Sequence, residues 1–553
     1  MNKKKISLLF LLFSLVSCSH IGINSSNSSI NNSSESTSFS SSSNNVTSLN
    51  SSSSTSSSSI ESSSIQENNP VIEDKFVDLY AINDFHGSVN ENGNERGILK
   101  VGTYLKQKRK QDNTLVLSSG DMWQGSIESN YNRGELLTYV MNNVGFDCFT
   151  LGNHEFDWGG KYIEKNRNLK DEKTQYQTPF LAANIYNYDP ITKNVLLHAD
   201  NLGDQYTIRE LENGLKVGII GVIGENQLTS ITSQYVDNYT FIDTTTVIKN
   251  LSDELKKDKK CDIVIVDAHA SSSQMSSEIT YVSSVTNKRY VDAVFCAHSH
   301  KYEDKIINNV PFIQAGSNGY SASYVRLKYG VDGVISCETR TNDLKEELYD
   351  VSQYDSEIQD LVNKYNEASS ATADEVLGSI DGYLGASCSG NYTIPNLVVT
   401  ALADYAIINK LDVDLTMCNQ ARAPLNNGNI TYRDLFKSLP FDNVIYILEC
   451  DGKDILYEAK YNSLYRISND AIVSGTKYKI AVLDYLAFHK NTDRELDYFP
   501  TGKVVGHYEK IGEEIYNYRD ITADYIRSKK TLNQSDYSNS NSRLNRNNLS
   551  SSL

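Results

Sequence analysis

Apolar residues in this chain fall into short runs of the length expected for buried strands, separated by stretches with helical spacing. Phe76 to Ile82, Thr114 to Leu117, Val217 to Ile223, Cys261 to Val266 and Val291 to Cys296 are such runs. They are continuous rather than alternating, as expected of strands covered on both faces. Ile98, Val101, Gly102 and Leu105 share one helical face, and Leu136, Leu137, Val140 and Met141 another. Strands alternating with amphipathic helices predict an α/β domain over residues 75–345, its sheets covered by helices on their outer faces. Further on, Ile358, Leu361, Val362 and Tyr365 recur at helical spacing, followed by the small polar run Ala368-Ser369-Ser370-Ala371-Thr372. Residues 346–374 therefore read as a linking helix and hinge, leading into a smaller domain at 375–527.

The two ends differ in composition from this body. Lys3-Lys4-Lys5 precedes an apolar stretch from Ile6 to Val16, and Leu15-Val16-Ser17-Cys18 reads as a lipoprotein signal peptidase site. That stretch is too short to span a bilayer as a permanent helix. Residues 1–17 are thus expected to be a signal peptide, with Cys18 lipidated and the mature protein extracytoplasmic, anchored by its lipid to a bacterial cell membrane. Ser and Asn dominate residues 18–70, a composition that makes a solvated tether rather than a core. Residues 528–553 are similar in composition and are expected to fray.

Charge and cysteine usage narrow the function classes. A net charge of −17, from 69 acidic and 52 basic residues with no basic patch, argues against a nucleic-acid polymer as partner. Besides Cys18, seven cysteines remain without paired spacing, and Cys148 and Cys296 lie in apolar runs. Buried free thiols are expected rather than a disulfide framework.

Candidate chemistry concentrates where apolar runs give way to polar turns. Asp84-Phe85-His86, Gly120-Asp121, Gly152-Asn153-His154-Glu155, His269 and His298-Ser299-His300 occur in that order and contain five of the nine histidines. Strand ends are where α/β enzymes assemble their sites. Oxygen and imidazole donors without thiolate suit Zn, Mn or Fe. An Asp121 carboxylate bridging two divalent ions would screen their repulsion at the separation of about 3.5–4 Å usual for such pairs. With Asp84 it offsets only half of their charge, so the surplus attracts a phosphate dianion and acidifies a bound water to hydroxide. His154 and Asp157, three residues apart, can hydrogen-bond, the carboxylate orienting the imidazole and raising its pKa.

The strings Asn83-Asp84-Phe85-His86-Gly87, Gly120-Asp121-Met122-Trp123-Gln124-Gly125-Ser126, Gly152-Asn153-His154-Glu155-Phe156-Asp157 and Ala297-His298-Ser299-His300 resemble the 5′-nucleotidase family of calcineurin-like metallophosphoesterases. The resemblance implies a four-layer α/β/β/α sandwich followed by a smaller α+β C-terminal domain. It also implies that Asp84, His86, Asp121 and His300 hold one metal, that Asp121, Asn153, His269 and His298 hold the other, and that His154 and Asp157 form the catalytic dyad. The family's glycine before the last His-x-His is Ala297 here, which keeps the ligands provided its φ is not positive.

In the second domain the resemblance continues through Gly428 to Phe436 and Leu439 to Asn443. It implies that Phe441 and Tyr485 stack on the two faces of a base, at about 1–3 kcal/mol per contact. The phosphate-side loop departs from the family pattern: Met417-Cys418-Asn419-Gln420-Ala421-Arg422 retains Arg422, with Asn419 as a substitute for a displaced Asn. Ser387 to Leu397 carries no basic residue, and Phe488 to Asp493 replaces a glycine-rich stretch. Three readings follow. The first is hydrolysis of nucleoside 5′-monophosphates. The second is a 2′,3′-cyclic nucleotide phosphodiesterase with 3′-nucleotidase activity, or a UDP-sugar hydrolase. The third is a surface ligand-binding lipoprotein with a vestigial metal site.

Overall fold

The computed structural model describes residues 75–331, 333–341, 344–488, 498–508, 516–545 and 549. The expected signal peptide, the lipidation site Cys18 and the Ser/Asn tether lie outside the described residues, as do residues 489–497.

Two six-stranded sheets form the first domain. One has the order Gly333–Arg340, Ser323–Gly330, Lys75–Ile82, Thr114–Ser118, Cys148–Thr150, Phe180–Leu181. The other runs Tyr302–Ile307, Val310–Ala315, Ala293–Phe295, Ile263–His269, Lys216–Ile223, Tyr206–Glu210. The inner strands pair in parallel, so their carboxyl ends share one edge of each sheet.

The alternation of side chains along each strand builds the layers. Leu79, Ala81, Leu115 and Leu117 from one sheet meet Val217, Ile219, Ile263 and Ile265 from the other in a buried cluster. Their neighbours Tyr80, Ile82 and Val116 face the opposite way, toward helices Gly97–Arg109 and Glu135–Val144. On the far side, Ile220, Val222, Val264 and Val266 pack against helix Thr244–Lys257. The result is helix, sheet, sheet, helix: the sandwich that the resemblance implied. Each fully buried aliphatic side chain contributes about 1.5–3 kcal/mol to it.

Helix Ser356–Ala373 is capped by Asp355, which accepts from the backbone N–H of Glu357 and Ile358. It lies on the first domain, with Ile358, Val362 and Tyr365 buried in that domain's core. The run Ala368 to Thr372, expected as a hinge, continues the helix to Ala373, since alanine and serine neither break a helix nor lack its backbone donors.

The second domain contains a five-stranded sheet, Ser463–Arg466, Leu415–Cys418, Lys477–Leu483, Ile445–Asp451 and Lys503–His507, and a three-stranded one. Helix Ile394–Ile408 packs into the core of this domain. Contrary to the fraying expected from Ser528 onward, the described end of the chain is part of this domain. Thr531–Asn533 pairs in parallel with Val376–Asp381 as an edge of the smaller sheet, and Leu532, Tyr537 and Leu544 are buried. Polar side chains hold it: Asn396 Nδ2 donates to the Tyr537 carbonyl at 3.0 Å, and Asn539 Nδ2 donates to the Gly390 carbonyl. Here Ser and Asn supply hydrogen bonds to the backbone, and four apolar anchors, Leu549 among them, suffice. None of the seven described cysteines is in a disulfide, and all but the half-buried Cys337 are buried.

Removing residues after Lys530 is expected to destabilise the second domain, because four buried apolar side chains and an edge strand are lost. Tyr537→Ala alone should cost about 3–5 kcal/mol by analogy with other aromatic truncations. Thermal unfolding indistinguishable from wild type in both variants would contradict this packing.

Candidate active site

Each candidate ligand occupies a loop at the carboxyl end of a strand. Asp84 and His86 follow Lys75–Ile82, Asp121 follows Thr114–Ser118, and Asn153 follows Cys148–Thr150. His269 ends Ile263–His269, and His298 and His300 follow Ala293–Phe295. Five of these residues have a left-handed backbone: φ is 48° at Asp84, 49° at His86, 54° at Asp121, 69° at His298 and 55° at His300. For a residue with a Cβ this costs about 1–2 kcal/mol, less for Asp, and such strain collects at functional sites. Ala297 is not among the positive-φ residues, so the methyl it carries is tolerated.

The loops restrain one another. Asp84 N–H donates to the Gly120 carbonyl at 3.0 Å, His86 N–H to the Asp121 carbonyl at 2.9 Å, and His298 N–H to the Asp84 carboxylate at 2.9 Å. Asn83 Nδ2 donates to the same carboxylate at 2.7 Å. At the centre lies Glu155, fully buried, whose carboxylate accepts from the backbone N–H of Gly152 at 2.7 Å and of Asp121 and Met122 at 2.9 Å each. Glu155 and Asn83 were given no role by sequence reasoning, although both lie inside the matched strings. Gly152 is required by this close approach: a Cβ there would sit 2.3 Å from Asp121 Oδ1.

The donors converge in two groups. Ligand atoms of Asp84, His86 and His300 lie within 4.8 Å of one another, as do those of Asp121, His269 and His298; Asp121 also groups with His86 and His154. His86 Nε2 is 3.0 Å from His300 Nε2, and Asn153 Oδ1 is 3.1 Å from both His298 Nδ1 and His269 Nε2. Metal bonds of 2.0–2.2 Å place adjacent ligand atoms about 3–3.5 Å apart, so these are the spacings of a coordination sphere.

The donor chemistry fits a cation as well. His269 Nδ1 donates to the Ser119 carbonyl at 2.9 Å, which directs Nε2 toward Asn153 Oδ1 and, at 3.2 Å, Asp121 Oδ2. Two oxygen acceptors converging there call for a positive centre. Burial disfavours a charged ring here, yet the Asp121 carboxylate pushes the His269 pKa up to about 9. Burial holds His86 down at about 3 and His298 at about 4, so both present neutral nitrogens. Asp121 is buried, which alone would raise its pKa, but His269 and His154 hold it well below the usual carboxylate range.

His154 lies beside this cluster on a single 3₁₀ turn, His154–Phe156. Its Nδ1 is 2.9 Å from Asp157 Oδ2, and its ring centroid is 5.2 Å from that of His86. Burial opposes a charge on this ring too, but Asp157 and Asp121 push its pKa up to about 10.

The second domain reaches the same place. Phe441 stacks on His154, with centroids 6.0 Å apart and planes 18° from parallel, and the Arg422 guanidinium lies 5.0 Å from the centre of the Phe441 ring. Trp158 Nε1 donates to Asp442 Oδ2 at 2.9 Å, and Gln124 Nε2 donates to the Pro440 carbonyl at 3.2 Å, docking the Leu439–Asn443 segment on the loops that carry His154 and Asp121. Asn419 is half-buried after strand Leu415–Cys418. Tyr485, at the start of the short helix Asp484–Ala487, packs half-buried against the core that contains Met417, Leu448, Ile480 and Phe499.

Residues 78–302 match the calcineurin-like phosphoesterase family, and residues 371–481 match the 5′-nucleotidase C-terminal domain, together more than half of the chain. The chain belongs to the calcineurin-like phosphoesterases, with a 5′-nucleotidase C-terminal domain. Among curated relatives of this phosphoesterase, endonuclease YhcR of Bacillus subtilis is 26% identical over 454 residues, 76% of this chain and 35% of that protein. The NAD 5′-nucleotidase of Haemophilus influenzae is 25% identical over 479 residues, 72% of this chain and 76% of that protein. The chain thus spans about a third of the first and three quarters of the second. Among solved structures, a 5′-nucleotidase precursor from Thermus thermophilus superposes with a TM-score of 0.63 at 16% identity, covering 83% of this chain and 97% of that one. The phosphoesterase family works with divalent metal ions, and the donor groups described above suit them.

Replacing Glu155 by Gln substitutes an amide for a carboxylate that three backbone donors require. The expected cost is about 1–3 kcal/mol in denaturant unfolding, with weaker uptake of divalent ions. A Glu155→Gln variant with wild-type unfolding and wild-type metal content would show that the clamp is dispensable.

Proposed function

We propose that this phosphoesterase hydrolyses nucleoside 5′-monophosphates to nucleoside and phosphate. The observation that carries the reading is the stack of Phe441 on His154, with Arg422 over the Phe441 ring, which sets an aromatic ring and a cation of the second domain beside the ligand cluster. Relatives named for action on nucleotides, including the Haemophilus NAD 5′-nucleotidase, support it.

In this reading Asp84, His86, Asp121 and His300 would hold one divalent ion, and Asp121, Asn153, His269 and His298 would hold a second, each of them Zn, Mn or Fe. When bound, such ions polarise a phosphoryl oxygen and supply hydroxide near neutral pH. The chain's own residues do the rest. His154, kept cationic by Asp157, gives a proton to the leaving ester oxygen, a contribution of about 10²–10⁴-fold. Phe441 offers its ring to the base, which takes the place of the Arg422 guanidinium, and Arg422 then turns to the phosphate or ribose. Asn419 and Tyr485 complete the substrate side. The donor set is whole and pre-positioned, which speaks against a vestigial site.

The leader sequence supports an extracytoplasmic protein anchored through lipid at Cys18. Among the described residues no helix is long and apolar enough to cross a membrane.

The test is phosphate release from 5′-AMP, 3′-AMP and 2′,3′-cyclic AMP by the full chain loaded with Mn or Zn. Chelator-sensitive release from 5′-AMP is expected, with kcat lowered about 10²–10⁴-fold in His154→Asn. Asp121→Asn should lose both activity and metal. No release from any of these esters by folded, metal-loaded protein would overturn the reading.

A further inference from the structure

A cavity of about 640 Å³ lies on the boundary between the two domains, within the range of about 300–1,000 Å³ usual for small-molecule sites. Tyr131, Arg133, Trp158, Tyr162 and Tyr239 of the first domain line one side of it. Tyr432, Phe436 and Asn517 of the second domain line the other. Neither the candidate metal ligands nor Phe441, Arg422 or Tyr485 take part in the lining, so the cavity is a different place from the stack of Phe441 on His154.

Charge sets this cavity apart from the rest of the molecule. The chain carries a net charge of −17, yet the lining holds Arg133, Lys161 and Arg519 against one carboxylate, Asp442. Arg519 and Trp158 Nε1 both donate to that carboxylate, so it is already committed. Arg133 makes no ion pair among the described residues. Its guanidinium lies 4.3 Å from the centre of the Tyr162 ring, and Lys161 Nζ lies 5.2 Å from the same ring. Stacking occupies the face of a guanidinium and leaves the N–H groups on its edge to fork around an anion.

The position of Arg133 is built into the backbone. φ is 55° at Arg133 and 85° at Gly134, and a Cβ on Gly134 would lie 2.3 Å from the Trp123 ring. The Arg133 carbonyl accepts from Asn166 Nδ2 at 2.8 Å, which holds the turn in place. Nearby, a Cβ on Gly160 would lie 2.7 Å from the Tyr239 hydroxyl, so glycine leaves that ring its room at the wall. Tyr131 is 54% exposed and offers a ring to a planar group.

We infer that this cavity is a second binding site, for a small aromatic carboxylate whose anionic group is held by Arg133 and whose ring lies against Tyr131 and Tyr239. Its walls belong to both domains, so the bound molecule ties one domain to the other. The inference is independent of the phosphoester hydrolysis proposed above.

The test is titration calorimetry of the metal-loaded full chain with 2-naphthoate, with acetate and 2-naphthol as an anion without the ring and a ring without the anion. 2-Naphthoate should bind at least about tenfold more tightly than either. Arg133→Asn should weaken it about tenfold, and asparagine is among the residues that best accept the left-handed backbone there. Tyr131→Ala, at an exposed position that does not endanger folding, should weaken it about three- to tenfold. Asp121→Asn, which alters the metal cluster, should bind 2-naphthoate as wild type does. No preference for 2-naphthoate over the two controls, or undiminished affinity in Arg133→Asn and Tyr131→Ala, would overturn the site. Loss of binding in folded Asp121→Asn would place the carboxylate on the metal cluster and overturn it as well.

Discussion

The arrangement of this site depends on one buried carboxylate that contacts no substrate. Glu155 gathers the backbone N–H groups of Gly152, Asp121 and Met122, and so fixes the loop after one strand against the loop after the next. Five neighbouring residues are held in left-handed conformations at about 1–2 kcal/mol each. Hydrogen bonds to a buried charged acceptor contribute about 1.5–3 kcal/mol each, so three of them are of the same order as that strain. The Glu155 charge is itself unwelcome: burial and the nearby Asp121 push its pKa up to about 7. The local fold thus concentrates negative charge, which divalent cations would relieve.

Placement of the loops follows from the sandwich beneath them. Parallel strands in two facing sheets end at adjacent edges, and the apolar layer of Leu79, Leu117, Ile219 and Ile265 fixes one sheet against the other. Asp267 adds a polar tie in that layer, accepting from Ser119 and, at 2.7 Å, from Thr150 of the opposite sheet. His269, two residues later on the same strand, is thereby set opposite Asn153 and Asp121. The second domain meets this edge through Phe441, held by Asp442 on Trp158 and by Arg519 on the Phe441 carbonyl. His154 and Phe441 are joined by packing across the domain boundary.

Much of this was legible in the residues. The five ligand strings could be read because each follows an apolar run that has to be a buried strand, and because Asp, Asn and His at strand ends share one chemistry. Glu155 escaped because a carboxylate that binds backbone N–H leaves no spacing pattern; its only signal was its place after His154. The end of the chain was misread because composition averages over a segment, whereas Leu532, Tyr537, Leu544 and Leu549 act as four separate anchors. Ala368 to Thr372 looked like a hinge for the same reason, since small residues are as compatible with the last turns of a helix as with a linker.

The central claim is that the left-handed loops are pre-formed to hold two divalent ions bridged by Asp121. The most direct measurement is metal content per chain after loading and desalting, with the ions located by anomalous diffraction at their absorption edges. Two ions per chain, about 3.5–4 Å apart with Asp121 between them, are expected. A single ion, or two ions that leave Asp121 unbound, would contradict the account.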